Sequence, residues 1–162
     1  MSLDEGAGEG VEVFDGPPPV IIDNGSGYMK AGTAADEEPS VIFPTIVGRP
    51  RRRFAELYSS KAEGGEGAGS AFVGEEAIAN RHHLSFTYPI DHGHIDNWVD
   101  MEEVWNKTYS LLEVQPSDHP LLVTEPPLCS LRHREKMAEM FFELFNVPEL
   151  NISVTGLMAI YG

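Results

Sequence analysis

An α/β fold, with a mixed sheet covered by helices, is what this chain predicts, and three observations predict it. Residues 20–47 hold three strand-like runs separated by short turns, the pattern of an antiparallel meander. Residues 120–124 (PLLVT) and 150–154 (LNISV) are short apolar runs of the kind that fill buried parallel strands. Between them, residues 132–145 carry apolar side chains at helical spacing, so the segment reads as strand–helix–strand. A crossover of that kind is right-handed by strong rule, which leaves few ways to assemble the pieces.

Taken in order, residues 1–19 are rich in glycine and acid and end in Pro17-Pro18-Pro19, which predicts a disordered acidic arm stiffened at its exit. The apolar strand Val20-Ile21-Ile22 runs into Asp23-Asn24-Gly25-Ser26-Gly27 and returns through a second strand containing Lys30. Asp36-Glu37-Glu38-Pro39 is a solvated turn, and 41–47 reads as a third strand interrupted at Pro44. Arg49, Arg51, Arg52 and Arg53 form the one basic cluster. Such clusters are usually surface loops, with a nuclear-import signal as the rarer reading. The glycine- and glutamate-rich stretch that follows, densest over 64–69, predicts a long mobile loop.

Order resumes at Phe72-Val73-Gly74, with a short helix over 75–80 and short strands over 86–90 and 93–95 around a turn at Asp91-His92. Residues 98–112 repeat Trp98, Met101, Trp105, Thr108 and Leu112 at helical spacing behind Asn97 as N-cap. Both tryptophans read as core packing. The strand at 120–124 ends at Glu125-Pro126-Pro127, where the prolines stop ladder pairing. The helix over 132–145 has Ser130 as cap and Met137, Met140, Phe141, Leu144 and Phe145 on one face. Pro148 ends that unit, and Gly156 opens a further helix reaching Tyr161.

Composition narrows the function classes. The 162 residues, 41% of them hydrophobic, suit one domain with a real core. Eleven basic against twenty-six acidic residues give a net charge of −15, which argues against nucleic acid or an anionic membrane and favours cationic protein surfaces as partners. No apolar run reaches the roughly 18 residues that span a bilayer, and the N-terminus lacks the basic and apolar regions of a signal peptide. The single cysteine, Cys129, precludes an internal disulfide and suits a reducing compartment. His82, His83, His92 and His94 match no zinc spacing and have no cysteine near them in sequence, so no metal centre is expected from them.

The chemistry concentrates in residues 20–32. Glycines on either side of Ser26 allow close backbone approach, so several N–H groups can converge on one anion. Asp23 stands at the strand end, where a carboxylate can hold a hydrated cation, and Lys30 can neutralise charge from the returning strand. These residues fit a phosphate-and-magnesium hairpin. They also fit an ordinary hairpin, because Asn-Gly is the commonest two-residue turn. In a sheet of this class ligands gather at the carboxyl ends of strands, so the turns after Ile22, Thr124 and Val154 are expected to share one rim.

VIIDNGSGYMKAG, FPTIVGRPR, FVGEEA, YPIDHGHIDNWVDMEEVW, HPLLVTEPPL, REKMAEMFFELFNVP and the closing LMAIYG resemble actin segments, in actin's order, across nearly the whole of 20–162. The resemblance implies the actin and sugar-kinase type of α/β fold, a ribonuclease H-like mixed sheet with helices, of which this chain is similar to the first half. It implies an arm over 1–19, the start of a small actin-like domain over 20–49, an inserted outer subdomain over 50–85, and the remainder of the small domain over 86–162. It also implies ATP and Mg2+ in an interdomain cleft. Ser26, Gly27 and Tyr28 would present amides to the β- and γ-phosphates beside Gly25, Lys30 would reach them, and Asp23 would bind the waters of the magnesium. His92 stands where actins carry a methylated histidine. Tyr161 matches a position lining the cleft where actin-binding proteins dock, although a core tyrosine is the commoner role for such a residue.

Three departures bear on activity. Thr155 stands in the segment where actins use glutamine to orient the attacking water, and a shorter side chain there predicts weak or absent hydrolysis, since mispositioning costs about a hundredfold. The loop after Arg53 is longer, more acidic and richer in glycine than the actin loop that inserts into the next filament subunit, which raises the ordering cost of that contact. The second phosphate loop and adenosine pocket of actins find no counterpart in 20–162, so ATP affinity of the chain alone is expected to be low. The leading expectation is an actin-like cytoskeletal protein, cytoplasmic with the nucleus as second compartment, that binds ATP in its complete form and works through assembly with actin-like subunits or actin-binding proteins. A non-hydrolysing scaffold, of the kind actin-related proteins provide in dynactin or chromatin remodellers, is the alternative. A phosphotransferase of the same superfold stands third, opposed by FPTIVGRP and FFELFNVP.

Overall fold

The computed structural model describes residues 16–54 and 71–156. Most of the acidic arm, the glycine-rich loop after Arg53, nearly all of the helix foreseen after Gly156 and Tyr161 itself lie outside the described residues.

A five-stranded mixed sheet organises the chain. β1 (Val20–Asn24) turns into β2 (Tyr28–Thr33), and β2 pairs in turn with β3 (Val41–Pro44), both antiparallel. On its other edge β1 pairs parallel with β9 (Leu121–Glu125), which pairs parallel with β10 (Leu150–Val154). The spatial order is β10-β9-β1-β2-β3, the mixed sheet expected from a meander joined to a strand–helix–strand unit. Register places Ile22 opposite Val123, and Val123 opposite Ile152. The three parallel strands therefore end at the same level.

The run at 41–47 is two strands rather than one. β3 lies at the edge of the main sheet, whereas β4 (Val47–Pro50) is the middle of a second sheet with β5 (Phe72–Val73) and β6 (Leu84–Thr87). Pro44 has no amide for the ladder, and the Ile46 amide folds back to the Pro44 carbonyl at 2.9 Å, which turns the chain out of the first sheet. A short helix, α1 (Glu75–Ala79), packs on this second sheet, and β7 (Ile90–Asp91) and β8 (His94–Ile95) form a small hairpin.

Two longer helices cover one face of the main sheet. α2 (Trp98–Leu112) starts where the Asn97 side chain accepts from the Asp100 amide, and α3 (Leu131–Glu143) starts where Ser130 accepts from His133. Both caps are those the sequence predicts. Met101, Val104 and Trp105 from α2 meet Met137, Met140 and Phe141 from α3 over Ile22, Met29 and Val123. Trp105 has no exposed surface, and its ring lies 4.3 Å from that of Phe141. Side chains of this size contribute about 1.5–3 kcal/mol each on full burial, so this cluster dominates the stability of the fold. One detail departs from expectation. α3 ends at Glu143, which leaves Leu144 half exposed while Phe145 stays buried, because the chain passes through a left-handed Asn146 before Val147 returns to the core. Trp98, also read as core packing, lies partly buried against the margin of this cluster, with its ring 4.8 Å from that of His133.

Among the described residues no helix is long and apolar enough to cross a membrane.

Candidate functional site

The carboxyl ends of β1, β9 and β10 form one rim, and a continuous hydrogen-bond network stiffens it. The Asn24 amide donates to Thr124 Oγ1 at 3.0 Å, and that hydroxyl donates to Asp23 Oδ1 at 2.7 Å. The Asn24 carboxamide donates to the Thr124 carbonyl at 3.2 Å and accepts from the Trp105 indole at 3.1 Å. Asn24, Thr124 and Trp105 are all buried, so each of these groups has exchanged water for a protein partner. The network runs from the middle of the core to the carboxylate at the rim.

The hairpin between β1 and β2 is held at several points. Gly25 donates to the Asp23 carbonyl at 2.9 Å, and a Cβ on Gly25 would stand 2.2 Å from the Tyr28 oxygen, so the turn closes only around glycine. Thr45 binds the turn from the far side, its hydroxyl to the Gly25 carbonyl at 2.7 Å and its amide to the Gly27 carbonyl at 3.0 Å. The Ser26 hydroxyl accepts from the Gly93 amide at 2.8 Å, which joins the hairpin to the turn between β7 and β8. Among the described residues the amides of Ser26 and Gly27 meet no acceptor, and a Cβ on Gly27 would have nothing within 4 Å. Asp23 and Lys30 are cross-strand partners on the sheet face away from α2 and α3, beside an open groove of about 260 Å³. Tyr28 is 58% exposed at the start of β2. Two amides without acceptors, room for an approaching anion and a cation on the adjacent strand fit a phosphate group.

The other residues singled out from sequence fall as follows. Thr155 follows β10, and its hydroxyl donates to the Glu125 carbonyl at 3.0 Å. It thus stands at the rim, but with its proton committed to the backbone of β9. His92 has a left-handed φ of 47°, an exposed ring and a 2.7 Å contact from Nδ1 to Asp91. It sits one residue from the Gly93 amide that meets the hairpin.

Sequence reasoning missed the buried acids. Asp100 is 1% exposed and is held by Arg49, by the Thr87 hydroxyl and by the Asn97 carboxamide at 2.8 Å. Glu125 is equally buried and paired with Arg134, whose Nε donates to it at 2.6 Å. Of the basic cluster, Arg51, Arg52 and Arg53 are exposed, as a surface cluster should be, although Arg51 Nε also donates to the Leu84 carbonyl at 2.9 Å, and Arg49 is partly buried against Asp100. One signal was available, since Asp100 falls within the apolar stripe of its helix. The fold also brings Cys129 beside His94 and His133, a proximity that the spacing of the histidines does not show.

Comparison with known proteins places these features in context. The actin family, by its description "Actin", matches residues 14–162. Centractin of Schizosaccharomyces pombe is 45% identical over 152 residues, a match covering 93% of this chain and 38% of that protein. The chain thus spans about two fifths of the curated relative it matches. With the mixed sheet, its two covering helices and the glycine hairpin at the rim already in place, the chain belongs to the actin family.

Proposed function

We propose that this chain is the nucleotide-phosphate-contacting part of an actin-like cytoskeletal protein that works by assembly with actin-like subunits or by binding actin-binding proteins in the cytoplasm. The observation that carries this reading is the hairpin at Asp23–Lys30: two amides without acceptors, open space at Gly27 and a lysine beside a carboxylate. In it the Ser26, Gly27 and Tyr28 amides and Lys30 hold the β- and γ-phosphates of ATP, Gly25 closes the turn, and Asp23 holds the waters of Mg2+. ATP and its metal supply the switchable charge, and the chain supplies a turn ordered beforehand.

Hydrolysis is slow or absent in this reading. Thr155 stands at the rim with its hydroxyl donated to the Glu125 carbonyl, so water there meets only a lone pair of its oxygen. That observation favours the scaffold alternative, in which nucleotide is held and not turned over. The small-domain division, with 20–49 and 86–162 flanking an outer insert at 50–85, is part of the same proposal, as are His92 as an exposed modification site and Tyr161 as part of a partner cleft.

The test uses weak-binding conditions, because the chain spans 38% of its relative. Amide NMR of the chain titrated with MgATP should perturb Ser26, Gly27, Tyr28 and Lys30 first, and Lys30→Ala should remove most of the effect. Perturbations that avoid the hairpin would overturn the reading. Single-turnover phosphate release then separates the two forms of the proposal. Thr155→Gln should raise the rate by up to about a hundredfold if positioning of water is what is lacking. Actin-like hydrolysis by the unaltered chain would sink the non-hydrolysing form.

A further inference from the structure

We infer that His94, Cys129 and His133 form a binding site for a divalent transition ion of the zinc type. One ligand atom from each, an imidazole nitrogen or the thiol sulfur, lies within 4.8 Å of the others. A tetrahedral ion with Zn–N of about 2.0 Å and Zn–S of about 2.3 Å needs ligand atoms about 3.5 Å apart. Ion binding requires side-chain rotation to close that difference. Two imidazoles with one thiolate suit an ion of borderline softness and do not suit Mg2+ or Ca2+, which take oxygen.

The three residues come from separate pieces of the fold. His94 lies on β8, Cys129 just before the cap of α3, and His133 in the first turn of α3. Cys129 and His133 carry the short local spacing of a chelating pair, C-x3-H, and the third ligand arrives from 35 residues earlier. This is why the histidines of the 82–94 segment show no metal pattern of their own. Burial and the neighbouring Glu125 carboxylate hold the Cys129 thiol above its usual range, and the Ser130 amide only partly opposes them, so the ion itself has to displace the proton.

A second observation points the same way. Glu125 is buried and held by Arg134 through Oε1 alone, with the Cys129 thiol as its other side-chain neighbour, and its charge bears on both Cys129 and His133. A cation bound by those two residues would lie near that carboxylate and be favoured by its charge. The site is reachable, since His94 is exposed and His133 lines an open cavity of about 600 Å³ beside Trp98 and Ser130. Binding Zn2+ displaces the thiol proton to solvent and leaves the fourth position to water, and no redox change is involved. The ion would clamp the β7–β8 hairpin to α3. It does not depend on any nucleotide at the hairpin of β1 and β2.

Cobalt is the probe. The metal-free chain in a thiol-free reductant, titrated with Co2+, should develop sulfur-to-cobalt charge transfer in the near ultraviolet together with tetrahedral visible bands, saturate at equimolar metal, and lose both on adding Zn2+. Cys129→Ser should abolish the charge-transfer band. His94→Ala and His133→Ala should each weaken binding by about tenfold or more, the scale on which metal sites respond to lost partners. His94 is exposed, so its variant separates loss of a ligand from loss of fold, and His82→Ala and His92→Ala serve as controls that should bind normally. Absence of the charge-transfer band in the unaltered chain, or a band that survives in His94→Ala and His133→Ala at unchanged affinity, overturns the inference.

Discussion

Thr124→Val tests the link between the core and the rim most directly. Valine replaces the hydroxyl by a methyl of similar size, so no cavity forms and the backbone has no steric reason to move. Two hydrogen bonds disappear: the one Thr124 accepts from the buried Asn24 amide at 3.0 Å and the one it donates to Asp23 at 2.7 Å. A buried amide left without an acceptor costs about 1–3 kcal/mol. The bond to Asp23 is charge-assisted, with a net worth of about 1.5–3 kcal/mol, but Asp23 is half exposed and water recovers most of that. The sum is about 2–4 kcal/mol. At about 2–4 °C per kcal/mol for a domain of this size, Tm should fall by roughly 6–12 °C for the middle of that range. Urea unfolding followed by circular dichroism should show a lower midpoint at unchanged slope, the signature of lost stability without altered compactness. Thr124→Ser restores the hydroxyl and should recover all but about 0.8 kcal/mol, the worth of the missing methyl group. A valine variant within about 0.5 kcal/mol of the parent would refute the claim that this hydroxyl anchors the hairpin.

Other outcomes follow from the same geometry. Gly25→Ala, whose Cβ would stand 2.2 Å from the Tyr28 oxygen, should destabilise by about 1–3 kcal/mol, whereas Gly27→Ala, with nothing within 4 Å, should stay within about 0.5 kcal/mol in the same urea assay. Arg134→Met should lower the unfolding midpoint more than Arg49→Met, because Asp100 keeps Thr87 and Asn97 as partners while Glu125 keeps only the weak thiol donor of Cys129; equal losses would show that the second carboxylate is otherwise stabilised. Tyr109 has a buried hydroxyl without a partner, and burial pushes its pKa up. The folded value thus exceeds the unfolded one, so its contribution is present below about pH 10 and is lost as pH rises from there. Tyr109→Phe should therefore leave stability at neutral pH unchanged or slightly higher, and should flatten the alkaline decline measured by urea midpoints between neutral and strongly alkaline pH.

How far the sequence reveals this arrangement depends on the range over which its signals act. Caps and periodicities act over three or four residues, and Asn97, Ser130 and the Met137–Met140–Phe141 face are legible for that reason. The mixed sheet is legible because apolar runs flank a single helix at 131–143. Pairings that depend on the finished topology are not. Trp105 reads correctly as core, yet nothing within its helix shows that its indole binds Asn24, 81 positions away. One member of the arginine cluster shows the converse limit, while Arg51, Arg52 and Arg53 are exposed as read. A run of like charge reads as solvated, but Arg49 lies on a strand beside the buried Asp100, and a buried carboxylate without a cation would be far costlier than an arginine held in place. The pairing of Cys129 with His94 was illegible on the same ground, being created by the approach of β8 to α3.

The hairpin between β1 and β2 has the form of a turn made rigid before any ligand arrives. Asp23 is tied through Thr124 to the neighbouring parallel strand, Gly25 and Gly27 through Thr45 to the chain leaving the sheet, and Ser26 through Gly93 to the small hairpin. Each tie comes from a different direction, so together they fix position as well as conformation. Their donors and acceptors belong to the framework, and the amides of Ser26 and Gly27 are left over. In an ordinary hairpin the reverse holds, since the turn's own residues satisfy one another and the tip is free to move. An ordered tip lowers the entropic cost of binding, because the conformational freedom was already lost in folding. The hairpin therefore differs from a simple Asn-Gly turn in what surrounds its glycines, which supports the proposed phosphate contact and is not contained in residues 20–32 alone.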